Sequence, residues 1–177
     1  MPGNHSHTGD QYCHDLYIKD AVDWIGAQKD GPFFLLYSAH IPHASLVAPE
    51  EWVAKYRGKV GQERDVPEEH YAGTKEPKAV FAGMVSRLDW EVGQILAALK
   101  ANGVDENSVV FFASDNGAHS AGGHSESDFN SSGPLRGEKR DMYEGGVRSP
   151  LLVRWPAKVA AGAVSNAEGQ RVCPNRQ

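Results

Sequence analysis

An α/β fold is predicted by three features of the sequence. Two stretches with helical spacing of apolar residues, 10–29 and the segment after Pro77, alternate with short apolar runs at 33–38 and 109–113. Those runs do not alternate polar with apolar, which is the pattern of strands buried on both faces. Each run passes directly into a loop dense in His, Ser, Asp and Asn, and α/β sheets bind ligands beyond the carboxyl ends of their strands. Such alternation implies a sheet with helices packed on it.

The elements follow in order. Leu16, Ala21, Val22 and Ile25 give the first helix its apolar stripe, and Asp30-Gly31-Pro32 ends it. Phe33 to Ser38 is the first expected strand. Pro49-Glu50-Glu51 opens a short helix, with proline and acids where a first turn favours them. Residues 58–76 are polar and turn-rich and predict a surface loop. Phe81, Met84, Val85, Leu88, Val92, Ile95, Leu96 and Leu99 form the stripe of the strongest helix, closed by Asn102-Gly103. A strand over 109–113 leads into 114–148, a long Gly-, Ser-, Asn- and His-rich stretch of the kind that carries function in a compact domain. Leu151-Leu152-Val153 restores a short strand before Trp155-Pro156.

Bulk properties set limits. The 177 residues suffice for one domain with a core, and 40% hydrophobic and 23% charged residues suit a globular chain. A formal net charge of -5 gives no global attraction for nucleic acid or an anionic membrane, so any anion site must be local. No apolar run reaches membrane-spanning length. Met1 to His7 has neither the basic region nor the apolar core of a secretory signal, which leaves the compartment open. Cys13 and Cys173 lack metal-type spacing; a single long-range disulfide is one reading, and free thiols are the expectation.

Several residues can do chemistry. Asp115-Asn116 offers two hard oxygen donors suited to Ca²⁺ or Mg²⁺, although Asp-Asn-Gly is also an ordinary turn. Lys139 and Arg136, in the glycine-containing loop 134–141, can meet a tetrahedral oxyanion or form a solvated charged surface. Arg148 can be a second anion contact or pair with Glu144 or Asp141, and the pairing is the expectation. His43 and His40 follow a strand; such a histidine binds an oxyanion or protonates a leaving group, while packing under the loop fits His40 better. His119 and His124 flank Gly122-Gly123 and can line the mouth of the same pocket. His5, His7 and His14, near the terminus, are expected to be solvated.

In their order, the segments 31–44 (GPFFLLYSAHIPHA), 85–99, 109–117 (VVFFASDNG) and 130–150 (NSSGPLRGEKRDMYEGGVRSP), with Arg154-Trp155-Pro156, resemble the type I sulfatases of the alkaline phosphatase superfamily. The resemblance spans roughly residues 10 to 165. It implies part of a sulfatase-like sandwich with a central mixed sheet flanked by helices. It further implies Asp115 and Asn116 as ligands of a divalent cation, normally Ca²⁺, with Mg²⁺ as the substitute. Lys139 then bridges sulfate and leaving-group oxygen, and His43 contacts sulfate and assists departure of the alcohol. Beside these, His119, His124 and Arg136 are candidate substrate contacts from their positions in the adjoining loops. The implied substrate is a sulfated small molecule or glycan, and the implied nucleophile is a formylglycine made from cysteine in a Cys-x-Pro-x-Arg motif.

Departures from the family pattern shape the expectations. Neither Cys13 nor Cys173 stands in that motif, and the family's N-terminal paired acids and Lys-x-His segment are absent. Residues 1–165 are therefore expected to be the C-terminal half of a sulfatase catalytic domain, missing its N-terminal half and its smaller C-terminal subdomain, with 166–177 an unrelated tail. Such a chain alone is expected to be inactive. The other readings are a phosphate or phosphonate monoester hydrolase of the same superfamily and a non-catalytic remnant that binds a cation or sulfated glycan.

Overall fold

The computed structural model describes residues 11–69 and 71–165. His5, His7, Cys173 and the 166–177 tail lie outside these residues. Helix α1 (Cys13–Gln28) and the long helix α3 (Pro77–Ala101) pack together, with the one-turn helix α2 (Glu50–Val53) beside them. A 3₁₀ turn at Asp105–Asn107 leads into strand β1 (Val110–Ala113). Two one-turn helices, α4 (Glu126–Phe129) and α5 (Glu144–Val147), punctuate the long loop before strand β2 (Leu151–Arg154). No helix among the described residues is long and apolar enough to cross a membrane.

The stripes read from the sequence build two adjoining cores. Ile25 of α1 meets Ala98 and Leu99 of α3, with Phe33, Leu35, Ile95 and Val110 packed around them. Val53 of α2 meets Ala79, Val80 and Met84 of α3, together with Ile41 and Leu46 from the intervening loop. Gly83 permits this approach, because a Cβ there would lie 3.1 Å from the backbone of Trp52. The start of α3 is held by Glu63, whose carboxylate accepts the backbone N–H groups of Lys78 (3.1 Å) and Ala79 (2.8 Å). These are two of the donors that a helix N-terminus leaves without an intrahelical partner. The polar stretch 58–76 is thus partly ordered, and a bridge between Val66 and Thr74 closes it.

Strands β1 and β2 pair antiparallel, with Val110 opposite Arg154 and Ala113 opposite Leu151. Arg154 reaches past the ladder to make a two-pronged contact with Asp105 (2.6 and 2.8 Å), which fixes β2 to the turn ahead of β1. The 33–38 run departs from its expectation of a strand buried on both faces. It is extended, but no strand among the described residues pairs with it. Phe33, Leu35 and Tyr37 turn toward the helices, whereas Phe34 and Leu36 are 84% and 75% exposed. Continuous apolar character specifies extension and a demand for cover, but a ladder needs a second chain segment at hydrogen-bonding distance.

His14 also departs from its expectation. It is fully buried, and Nδ1 lies 3.0 Å from Glu91 Oε2 on α3. Glu91, itself fully buried, also accepts from Tyr37 Oη (2.9 Å) and Arg87 Nε (2.9 Å), while Arg87 pairs with Asp15 at 2.7 Å. Burial pushes the Glu91 carboxyl up, but the bonds from His14, Tyr37 and Arg87 outweigh it and hold the group below the ordinary glutamate value.

Candidate active site

The loops after 33–38 and after β1 converge, and glycine determines how closely. Gly117 N–H donates to the Gly146 carbonyl at 3.0 Å, and a Cβ on Gly117 would collide with the carbonyl of Gly145. Gly145 donates in turn to the Arg136 carbonyl at 2.8 Å, with its own Cβ direction blocked by Gly137. The 114–117 and 136–146 loops therefore meet backbone to backbone. Side chains at these positions would separate them, which is the physical content of the Gly145-Gly146 pair. Two further ties hold the frame: Ser149 Oγ donates to the Ser114 carbonyl at 2.8 Å, and Lys139 N–H donates to the Ala118 carbonyl at 2.6 Å.

Within this frame a small polar pocket is lined by His43, Tyr71, His119, Glu138 and Lys139, among others. The His43 and His119 rings stack at 6.0 Å between centroids with 28° between planes. His43 Nδ1 lies 2.6 Å from the Ala44 carbonyl, which only accepts, so Nδ1 carries a proton and Nε2 is the nitrogen left for a ligand. His119 Nε2–H donates to the Pro42 carbonyl at 3.1 Å and so links the 118–124 loop to the turn that carries His43. Burial lowers the His119 pKa, and the nearby His43 and Lys139 lower it further against the opposing pull of the Pro42 carbonyl.

Asp115 and Asn116 lie at the carboxyl end of β1 and line a broad trough shared with His43, His119 and Lys139. Asn116 Nδ2 donates to the Gly117 carbonyl at 3.0 Å, which leaves its Oδ1 as an oxygen donor next to the exposed Asp115. A carboxylate and an amide oxygen at one strand end fit a hard divalent cation. Apolar side chains, Phe34, Leu36 and Phe111 among them, make up much of the rest of the trough.

The other two expected contacts stand apart. His124 is 5% exposed and stacks on Phe81 at 3.8 Å, and it lines neither the trough nor the polar pocket. Desolvation lowers its pKa, with His119 adding to the effect. The Arg136 guanidinium lies 3.8 Å over the Tyr143 ring of its own loop, also outside both concavities. Arg148 pairs with Glu144 at 3.3 Å, as expected from its position. Sequence reasoning did not single out Tyr71 or Glu138, and neither carries a motif signal that would have done so.

Comparison with known proteins fixes the family. The sulfatase family model matches residues 2–172. The chain belongs to the sulfatase family. Rat N-acetylgalactosamine-6-sulfatase is 32% identical over 165 residues, which is 92% of this chain and 27% of the relative. Rat steryl-sulfatase is 33% identical over 146 residues, 81% of this chain and 22% of the relative. The crystal structure of Ps i-CgsB in complex with k-i-k-neocarrahexaose superposes with a TM-score of 0.68 at 31% identity, covering 86% of this chain and 30% of that one. The described residues accordingly form part of the sulfatase α/β fold, and the chain spans about a quarter of the length of the curated relatives it matches.

Proposed function

We propose that this sulfatase segment supplies the leaving-group and cation side of a pocket that hydrolyses sulfate esters of aryl or carbohydrate alcohols. The observation that carries the reading is the convergence of His43, His119 and Lys139 on one polar pocket, beside the strand end that bears Asp115 and Asn116. The names of the relatives, N-acetylgalactosamine-6-sulfatase and steryl-sulfatase, support a sulfate ester as substrate class. The complex of Ps i-CgsB with a neocarrahexaose supports a carbohydrate.

Each residue has a role in this reading. Lys139, half-buried, places a fixed positive charge where an ester oxygen gains negative charge as its bond to sulfur breaks. His43, with Nδ1 committed to Ala44, presents Nε2 to that oxygen and delivers a proton when the imidazole is charged. His119 is a positioning residue that holds the 40–43 turn through Pro42. Asp115 and Asn116 Oδ1 would hold Ca²⁺, or Mg²⁺ in its place, and the ion supplies charge neutralisation for a bound sulfate. Two donors are short of the six to eight that Ca²⁺ takes, so the chain by itself should bind it weakly. The nucleophile of the reading is a formylglycine, and neither Cys13 nor Cys173 stands in a Cys-x-Pro-x-Arg motif. The isolated chain is therefore inactive in this reading.

The test is kinetic, on an active protein that carries this segment, with metal saturated and formylglycine content measured. Lys139→Ala should lower turnover of sulfate esters by about a hundred-fold or more, the scale on which a preorganised charge-stabilising donor acts. A change within a few-fold would remove this loop from the pocket. Faster cleavage of matched phosphate or phosphonate monoesters than of sulfate esters would favour the other branch of the superfamily.

A further inference from the structure

On the α1 side of the same turn, three metal-ligating side chains come together that the sulfate pocket does not use. Cys13, His14 and His40 bring one ligand atom each within 4.8 Å of one another. Cys13 Sγ lies 3.7 Å from His40 Nε2. Two ligands on one tetrahedral zinc, at bond lengths of about 2.3 Å for sulfur and about 2.0 Å for nitrogen, stand about 3.6 Å apart. That pair is already spaced as co-ligands, and the widest separation in the trio has to close by about an ångström.

The second observation concerns His14. Its Nδ1 faces the Glu91 carboxylate, which only accepts, so Nδ1–H is the donor and, in the neutral imidazole, Nε2 carries the lone pair. Nε2 is buried without a hydrogen-bond partner, in a residue with no solvent exposure. A buried, unpaired ring nitrogen is costly unless something occupies it. The His14 and His40 ring centroids are 4.4 Å apart, so a ligand at that nitrogen lies close to His40. A carboxylate behind a histidine whose other nitrogen is free is the arrangement that orients metal-bound imidazole.

We propose that Cys13, His14 and His40 form a binding site for a borderline-soft divalent cation of the zinc type, with Glu91 as the positioning residue behind His14. A thiolate and two imidazoles select such an ion over Ca²⁺ or Mg²⁺, which prefer oxygen. Half-buried Cys13 and exposed His40 leave a side open for entry and for a water as fourth ligand. Binding displaces the thiol proton to solvent, so affinity rises with pH. The site goes beyond the sulfate-ester reading and stands whether or not that reading holds.

Co²⁺, a spectroscopic stand-in for zinc, tests the site on the full chain after chelator treatment. The expected result is one equivalent bound, with a thiolate-to-cobalt charge-transfer band in the near ultraviolet, four-coordinate bands in the visible, and both displaced by Zn²⁺. Cys13→Ser should abolish the charge-transfer band. His40→Ala should weaken binding at least about ten-fold, and Glu91→Gln by about ten- to a hundred-fold. Circular dichroism checks that each variant is folded, and Cys13→Ser and His40→Ala carry the test if Glu91→Gln is not. Cys173→Ser and the His5→Ala/His7→Ala double variant should keep the spectrum of the unaltered chain. Absence of a charge-transfer band, its survival in Cys13→Ser, or its loss in Cys173→Ser would overturn the proposal.

Discussion

Partly desolvated imidazoles and the buried Glu91 carboxylate set how the chain should respond to acid, in two separate ranges of pH. Desolvation lowers the pKa values of His40, His119 and His124, so in the fold these rings resist protonation that the unfolded chain accepts below about pH 6.5. Between the lowered folded values and that point, the unfolded state binds more protons. Stability contributed by these rings is complete above about pH 6.5 and declines as pH falls. The melting temperature should therefore drop between about pH 7 and 5, and His124→Leu, which keeps an apolar partner for Phe81, should make that slope shallower. A melting temperature flat across this range would contradict the desolvation of these rings. Glu91 acts lower down. Its folded pKa is depressed, so its contribution is present above about pH 4.3 and lost as pH falls through the folded value. Glu91→Ala should cost about 3 kcal/mol or more in denaturant unfolding, because it strips the shared acceptor from Arg87, Tyr37 and His14. Neither role was legible in the sequence. His14 is close to the N-terminus, and that position does not reveal which face of α1 meets α3. His124 follows two glycines, a setting that serves a pocket mouth and a buried stack equally well.

At the scale of elements, the helices were legible because their information is local. The stripe from Phe81 to Leu99 and the Asn102-Gly103 stop place α3 within a residue of its observed end at Ala101. The 33–38 strand was not, because a ladder partner is a property of another segment. The loops lie between these cases. Asp115-Asn116 and Lys139 could be named from resemblance, but the mutual approach of Gly117, Gly145 and Gly137 that sets their separation is visible only in three dimensions. That approach makes a prediction. Gly117→Ala should force the 114–117 and 136–146 loops apart while leaving α1 and α3 untouched. Limited proteolysis within 118–148 should accelerate several-fold, with helical circular dichroism unchanged. Protection equal to that of the unaltered chain would mean that the two loops do not meet through their backbones.

For the molecule as a whole, the determining feature is a trough with apolar walls. Phe34, Leu36 and Phe111 are all large, apolar and mostly exposed, and they come from the 33–38 run and from β1. Extended apolar segments with unpaired backbone edges template association with other chains. At about 25 cal/mol per Å² of apolar surface removed from water, covering even a few hundred Å² is worth several kcal/mol. The chain in solution should therefore self-associate in a concentration-dependent way and bind a hydrophobic dye such as ANS. Phe34 and Leu36 are suited to the test because they contribute to the trough and little to either core. The double variant Phe34→Thr/Leu36→Thr places β-branched residues, which suit an extended segment, and removes apolar area from the surface. It should bind less dye and sediment as a smaller species at the same concentration, with its melting temperature changed by no more than a few degrees. A chain that sediments as a monomer at every concentration and binds no dye would show that the trough is closed in solution, and that 33–38 has found cover the structure does not provide.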